Sequence, residues 1–234
     1  LLAKGYRYAS VSNSDNLGAA PDATIAGWFA ASGAPYAAEI CRRTPADRKG
    51  GHLAYRKADH QLILRDTAQT SKEDMHYFTD EHRHPFFHTN NLWFDLEQIA
   101  AALDERGAVL GLPLIRNVKT VDPTDSSSPE VFQIESAMGA AIEVFEGATA
   151  IVVGRERFLP VKTTNDLLLI RSDAYDLAED STLRLAVEQA PLVDLDTKVY
   201  KTVAKFEERF AAGAPSLRDA RSLTVQGDWT FGEG

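Results

Sequence analysis

Apolar and polar positions along this chain follow two periods, and the places where one gives way to the other mark its elements. Tyr8 to Ser12 alternates like a short strand and runs into the polar segment Asn13-Ser14-Asp15-Asn16-Leu17-Gly18. From Pro21 or Asp22 the spacing becomes helical, with Ile25, Trp28 and Phe29 on one face and Ser32-Gly33 as the stop. Ala37 to Arg42 reads as a strand, and His52 to Gln69 as a hairpin turning near Lys57-Ala58-Asp59. Phe86 to Trp93 leads into a helix capped by Asp95, whose Leu96, Ile99, Ala100 and Leu103 share one side before Gly107 ends it. Leu112 to Thr120 is strand-like, and the Pro-, Ser- and Asp-rich run from Asp122 to Glu130 is a loop.

The most regular helical stripe predicted is Ile134, Ala137, Met138, Ala141, Ile142 and Phe145. It reads as core packing, with Gln133 and Glu135 at its start within reach of a site. Ala148 to Val153 is a compact apolar strand, followed by a helix from Asn165-Asp166 that carries Leu167 to Ile170. Strands alternating with helices predict an α/β domain with a largely parallel or mixed sheet, and ligands bind such sheets at the carboxyl ends of strands. From Pro191 the texture changes. Val199, Val203, Phe206 and Phe210 predict one amphipathic helix, and Gly213-Ala214-Pro215 breaks it. Leu223-Thr224-Val225 and Asp228-Trp229-Thr230-Phe231 read as strand pieces with nothing to pack against.

Composition narrows the function classes. With 234 residues and 44% hydrophobic content, the chain can bury one sizeable core or one plus a small appendage. A net charge of -9 argues against nucleic-acid binding, which needs a basic face, but a small phosphate ligand needs only a few placed cations and a metal. The one cysteine, Cys41, excludes a disulfide framework and a cysteine-based zinc site; it reads as a small buried hydrophobe, and the reducing cytoplasm is the expected compartment. No apolar run approaches the roughly 18 residues that a membrane span needs, and no signal peptide is visible. Leu1-Leu2-Ala3-Lys4-Gly5 reads as the last turn of a helix with a glycine stop, so the expectation is a chain that begins partway into a domain.

Several segments have residue types that suit phosphate or sugar chemistry. Asn13 to Gly18 follows a strand, where a carboxylate can hold magnesium against ligand phosphates; an Asx-rich turn explains the same residues. Lys49-Gly50-Gly51 lets backbone approach a ligand closely, or is a plain turn. The side-chain amides of Asn90-Asn91 suit sugar hydroxyls, or a cap. Phe158-Leu159-Pro160-Val161-Lys162-Thr163-Thr164-Asn165-Asp166 puts a lysine at a helix N-terminus, where anions are stabilised; a solvent-facing lysine beside an N-cap is the alternative. His76, His82, His84 and His88 lack metal-ligand spacing and read as a surface loop.

Taken in order, Asn13 to Gly18, Lys49-Gly50-Gly51, Thr89-Asn90-Asn91-Leu92-Trp93, Gln133-Ile134-Glu135, Phe158 to Leu168 and Asp228 to Gly232 resemble the UDP-glucose pyrophosphorylases of the eukaryotic-like type, from about Tyr8 onward. The resemblance implies a partial nucleotidyltransferase domain with a Rossmann-like mixed sheet over residues 1–190. Residues 191–234 would then form a linker helix and the first strands of a C-terminal left-handed β-helix. Asp15 would be the magnesium ligand, with Asn13 beside it. Gly51 and Asn90 would contact glucose hydroxyls, Phe158 would line the substrate site, and Lys162 would hold phosphate and stabilise the transition state.

Two positions depart from the family pattern. His88 stands where an asparagine often precedes Thr89-Asn90-Asn91, and Asp66, before Thr67-Ala68-Gln69, stands where a glutamate often contacts the sugar. The implied reaction joins UTP and glucose 1-phosphate, with magnesium, into UDP-glucose and pyrophosphate. The readings set beside it are a pyrophosphorylase for N-acetylhexosamine or several UDP-sugars, and an inactive sugar-phosphate-binding fragment. The family's Gly-rich nucleotide loop is expected upstream of Leu1, so the chain by itself is expected to be inactive.

Overall fold

The computed structural model describes residues 1–44, 47, 50–67, 70–125 and 127–232. Lys49 of the Lys-Gly-Gly segment, Ala68 and Gln69 at the hairpin's end, and Ser126 of the predicted 122–130 loop lie outside them. The chain divides into two compact units, residues 1–12 with 22–153, and residues 13–21 with 154–234.

The first unit is built on a four-stranded mixed sheet. Its elements are β1 (Tyr8–Val11), α1 (Ala23–Ser32), β2 (Tyr36–Arg42), β3 (Gly51–Tyr55), β4 (Leu62–Asp66), α2 (Met75–Phe78), β5 (Phe86–Asp95), α3 (Leu96–Glu105), β6 (Leu114–Thr120), β7 (Glu130–Ser136) and β8 (Thr149–Val152). The sheet order is β1-β5-β2-β8, antiparallel except for the parallel β2–β8 pair. The alternation of strand side chains sorts its two faces. Tyr36, Ala38, Leu92 and Phe94 join Leu64, Ala141, Ile142 and Phe145 on one side. Ala37 and Trp93 join Ile25, Phe29 and Ala34 on the other. The helix ends follow the predicted starts and stops. Asp22 accepts from the Thr24 and Ile25 amides, Asp95 from Glu97 and Gln98, and Gly33 closes α1 in the left-handed conformation. Cys41 is fully buried.

The stripe from Ile134 to Phe145 is not one helix. Residues 130–136 form β7, paired with β6, and only Met138–Glu143 turn, as a 3-10 helix. Ala141, Ile142 and Phe145 are core residues, but Ile134 is 62% and Met138 41% exposed. Period-two pairing with β6 beyond the turn outweighs a helical spacing whose polar residues at 133 and 135, on either side of Ile134, alternate equally well as a strand.

Histidines inside this unit make its stability depend on pH. His88 is not a surface-loop residue, and His84, in the loop before β5, is half-buried rather than exposed. His88 is buried on β5, and His84 stacks on His52 at 3.9 Å between ring centroids. Both His52 ring nitrogens are buried without a hydrogen-bond partner. Burial first, then the neighbouring His84, Arg65 and Arg43 charges, hold His52 down at about 3, against an ordinary 6.5. Burial holds His88 down at about 4. The unfolded chain therefore binds more protons below about pH 6.5, so folding stability falls as pH drops from there toward those values. Between pH 7 and 5 the two groups together cost on the order of 4 kcal/mol. Urea midpoints measured across that window should fall steadily, and His52→Phe should remove about half of the slope. An unchanged slope in that variant would rule His52 out as a source.

The second unit contains α4 (Thr164–Arg171), β9 (Tyr175–Leu177), β10 (Leu183–Leu185), β11 (Leu192–Leu195), α5 (Thr197–Tyr200), α6 (Val203–Arg209) and β12 (Ser222–Val225). Its core is Leu168, Leu195, Tyr200, Phe206, Phe210 and Val225. The predicted single helix through Val199 and Phe210 is two short ones, because the backbone is extended at Thr202, just before the second begins. The break lets Tyr200 and Phe206 both reach the core and leaves Val203 57% exposed.

Asp228 to Phe231 is not a strand, and it does have something to pack against. Arg209 donates to both Asp228 carboxylate oxygens at 2.7 and 2.8 Å. The Tyr200 hydroxyl donates to the Trp229 carbonyl at 2.8 Å, and Phe231 stacks on Phe210 at 4.6 Å.

Candidate active site

The segment from Asn13 to Gly18 is an Asx-rich turn, and it is also clamped onto the stretch that leads to Lys162. Asn16 is the clamp. Its side-chain oxygen accepts from the Gly18 amide at 3.1 Å and the Leu159 amide at 2.8 Å, and its side-chain nitrogen donates to the Arg157 carbonyl at 3.1 Å. Backbone bonds extend the contact. Leu17 donates to the Leu159 carbonyl at 3.0 Å, and Val161 donates to the Asp15 carbonyl at 2.8 Å. Gly18 has no room for a side chain, since a Cβ there would lie 2.3 Å from the Glu156 carbonyl oxygen.

This clamp holds Asp15 beside the residue that precedes Lys162. One Asp15 carboxylate oxygen is buried and has no hydrogen-bond partner. A buried anionic acceptor left unpaired costs roughly 1–3 kcal/mol or more, so its persistence fits a ligand for a cation. One carboxylate is consistent with magnesium, which takes most of its coordination from phosphate oxygens and water. Asn13 lies in the same loop, exposed, with its carbonyl accepting from the Asn16 amide at 3.1 Å. Phe158 is half-buried, with the Arg155 guanidinium 5.0 Å from its ring centroid.

Lys162 immediately precedes α4, whose N-cap is Thr163. The backbone amides there are not open to an anion, because the Asp166 carboxylate accepts from Lys162 at 2.9 Å and Thr163 at 2.8 Å. The helix start therefore acts as a self-capped support, and what is offered to a ligand is the lysine's own charge. Lys162 is exposed, and ion pairs among the described residues of this unit engage Arg171, Arg184, Arg209 and Arg218.

The first unit groups the other predicted residues around Leu64. Gly51 and Asp66 are cross-strand partners of β3 and β4. A Cβ on Gly51 would come within 2.8 Å of Leu64 Cδ1 and 3.4 Å of an Asp66 carboxylate oxygen, so only glycine leaves that space open. Asn90 is half-buried on β5, near the same Leu64 by way of Gly139.

Neighbouring residues of the Thr89-to-Trp93 motif do different work. Glu39, fully buried on β2, accepts from the Asn91 side chain at 3.0 Å and the Trp93 indole at 2.9 Å, and its carbonyl accepts from the Thr89 hydroxyl at 2.8 Å. Thr89, Asn91 and Trp93 thus brace the sheet, while His88 and Asn90 alternate toward Leu64. Nothing in the local sequence singled out Glu39. An acid in an apolar strand is the one signal it leaves, and its partners are about fifty residues away. Gln133 and Glu135 sit on the exposed β7, where Glu135 accepts from the Asn117 amide at 2.7 Å. A hollow of about 440 Å³ lined by Trp28, Pro35, Gln98 and Thr149 contains none of the predicted site residues.

A sequence model of UTP–glucose-1-phosphate uridylyltransferase matches residues 1–234. The chain belongs to this family. The uridylyltransferase of Hordeum vulgare is 39% identical over 237 aligned residues, and that of Saccharomyces cerevisiae is 37% identical over 236. Each alignment takes in all of this chain, but 48% and 46% of those two proteins, so the chain spans about half their length. Among solved structures, the Trypanosoma brucei UDP-glucose phosphorylase superposes with a TM-score of 0.88 at 48% identity, over 99% of this chain and 50% of that one. A mutant Leishmania major UDP-glucose pyrophosphorylase in complex with UDP-glucose gives 0.85 at 45% identity, over 100% of this chain and 51% of that one. The mixed α/β uridylyltransferase fold expected from the sequence is therefore the fold observed. Among the described residues, no helix is long and apolar enough to cross a membrane.

Proposed function

We propose that the intact protein transfers a uridylyl group between UTP and glucose 1-phosphate, and that Asp15 and Lys162 do the phosphate chemistry. The observation that carries this reading is the clamp, which ties a buried carboxylate oxygen with no partner among the described residues to the stretch that presents the exposed Lys162. In the forward direction a phosphate oxygen of glucose 1-phosphate attacks the α-phosphorus of UTP. The new P–O bond replaces the bond to the β-phosphate oxygen, and pyrophosphate leaves with that electron pair.

No protein nucleophile is required. Positioning and charge neutralisation account for the rate, and Lys162 stabilises the charge that builds on the transferring phosphoryl oxygens. Asp15, with Asn13 beside it, would hold magnesium, which when bound neutralises phosphate charge and orients the leaving group. Gly51, Asp66 and Asn90 receive the glucose hydroxyls, and Phe158 lines the substrate site. Asp66 is one methylene shorter than glutamate, so its sugar hydrogen bond is made by closer approach or through water.

The reading extends to architecture and location. Residues 1–190 form the catalytic domain, and residues 191–234 a linker and the first strands of a left-handed β-helix. The parallel pairing of β11 with β12 supports this, because stacked rungs of a β-helix pair in parallel. A fully buried lone cysteine is compatible with the cytoplasm.

The test is pyrophosphate release by the intact protein from UTP with glucose, galactose or N-acetylglucosamine 1-phosphate. Glucose 1-phosphate should be favoured about tenfold or more in kcat/KM, the scale on which a site built to pair sugar hydroxyls discriminates. Equal turnover of N-acetylglucosamine 1-phosphate would overturn the glucose assignment, and no release from any of them would overturn the reaction.

A further inference from the structure

Asn90 has a backbone conformation that its strand does not call for. It lies inside β5 with a φ of 61°, in the left-handed region that a non-glycine residue occupies at a cost of about 1–3 kcal/mol. The strand is irregular there. Ala38 pairs with Leu92 and Ile40 with His88, so the single residue Glu39 on β2 faces three residues of β5. Glu39 engages Thr89 and Asn91, which leaves Asn90 bulged outward. Its amide turns instead to its own strand and donates to His88 Nδ1 at 3.1 Å. This is the side-chain-to-backbone bond, two residues along, that an asparagine makes in an Asx-turn, here made by an imidazole.

That bond dictates the state of His88. An Nδ1 that accepts has no proton, so the neutral ring has its hydrogen on Nε2. Nε2 is buried and has no partner. The fold thus leaves one N–H unpaired, at about 1–3 kcal/mol, to keep the acceptor that holds Asn90. Space is reserved alongside. A Cβ on Gly139 would lie 3.0 Å from His88 Cε1, 3.5 Å from the Asn90 side-chain oxygen and 2.7 Å from Leu64 Cδ2. The Gly139 carbonyl is fixed by the Tyr36 hydroxyl at 3.3 Å.

We propose that His88 is a positioning residue for sugar recognition, locking the Asn90 backbone in its bulge and so aiming the Asn90 amide at the hydroxyls of the sugar phosphate. This rests on the uridylyltransferase reading, and on Asn90 as a sugar contact. Strain held by a dedicated hydrogen bond, beside a residue with no side chain, is how a fold fixes one polar group for a ligand.

Three substitutions in the intact protein test it. His88→Leu fills the space without an acceptor and should raise KM for glucose 1-phosphate about tenfold, the worth of one orienting hydrogen bond, with kcat within about threefold. His88→Gln sets its carbonyl one bond too far out for the turn and should behave like leucine, which keeps the test alive if the leucine variant does not fold. His88→Asn restores the short acceptor and should bring KM back to within about threefold of wild type.

A folded leucine or glutamine variant with wild-type KM overturns the inference, and so does an asparagine variant as impaired as they are. These failures leave wild-type turnover intact. A wild-type protein that neither binds nor turns over glucose 1-phosphate overturns the functional reading and the inference with it. The tautomer gives an independent check, because imidazole nitrogen-15 shifts should show a bare Nδ1 and a protonated Nε2, and the reverse assignment would exclude the bond.

Discussion

Lys162→Met in the intact protein should lower kcat for UDP-glucose formation by roughly 10²–10³-fold, the loss expected when one preorganised group that stabilises transition-state charge is removed. KM for glucose 1-phosphate should change much less. Methionine nearly matches the length of lysine and removes only the charge. The local fold should survive, because the backbone amide of residue 162 still reaches Asp166 and the Thr163 cap is untouched. Lys162→Arg should recover only part of the rate, since a planar guanidinium replaces a compact point charge. Steady-state kinetics with matched thermal melts decide the matter. A methionine variant with near-normal kcat would remove Lys162 from the chemistry.

Asp15→Ala should abolish the magnesium response while costing little or no stability. The two halves of this prediction come from one observation, the buried carboxylate oxygen with no partner. If Asp15 were structural, truncating it would break hydrogen bonds and lower the melting temperature. As an unpaired buried acceptor it is a liability to folding, and its removal relieves about 1–3 kcal/mol of desolvation. The clamp stays, because it uses the Asp15 backbone carbonyl and the Asn16 side chain. Turnover at saturating substrates should fall by about 10²-fold or more, and the magnesium titration should flatten. An unchanged titration midpoint would reject Asp15 as a ligand.

Local signals along the chain marked out most of the first unit. The helix start near Asp22, the Asp95 cap, the Gly33 stop, the 51–66 hairpin and the core strands at 36–42 and 86–95 follow from short-range periodicity and capping chemistry, and those forces act within a few residues. Where two periods fitted the same residues, the sequence could not choose. Ile134 to Phe145 satisfied a helix, and only pairing with 114–120 made its first part a strand. Val199 to Phe210 satisfied a single helix, and only the need to bury Tyr200 and Phe206 together broke it at Thr202.

The candidate site was legible to a similar depth. Ordered motifs named Asp15, Asn13, Gly51, Asp66, Asn90, Phe158 and Lys162 as residues with suitable chemistry, but not what holds them. Glu39 acts on residues about fifty positions away, and Asn16 on residues more than a hundred and forty away, so no local window contains both partners. A lysine at a helix start predicts an anion site, but Asp166 occupies the amides of Lys162 and Thr163.

The residues of the polar loop after β1 suit either a turn or a metal loop. By itself the sequence determined that it is rich in groups able to bend the backbone or bind a cation, since both abilities belong to single side chains. Only the tertiary structure decided how the work is shared, with Asn16 making the turn and Asp15 left with an open oxygen. That division depends on which side chain meets the 157–161 backbone, and long-range packing sets it.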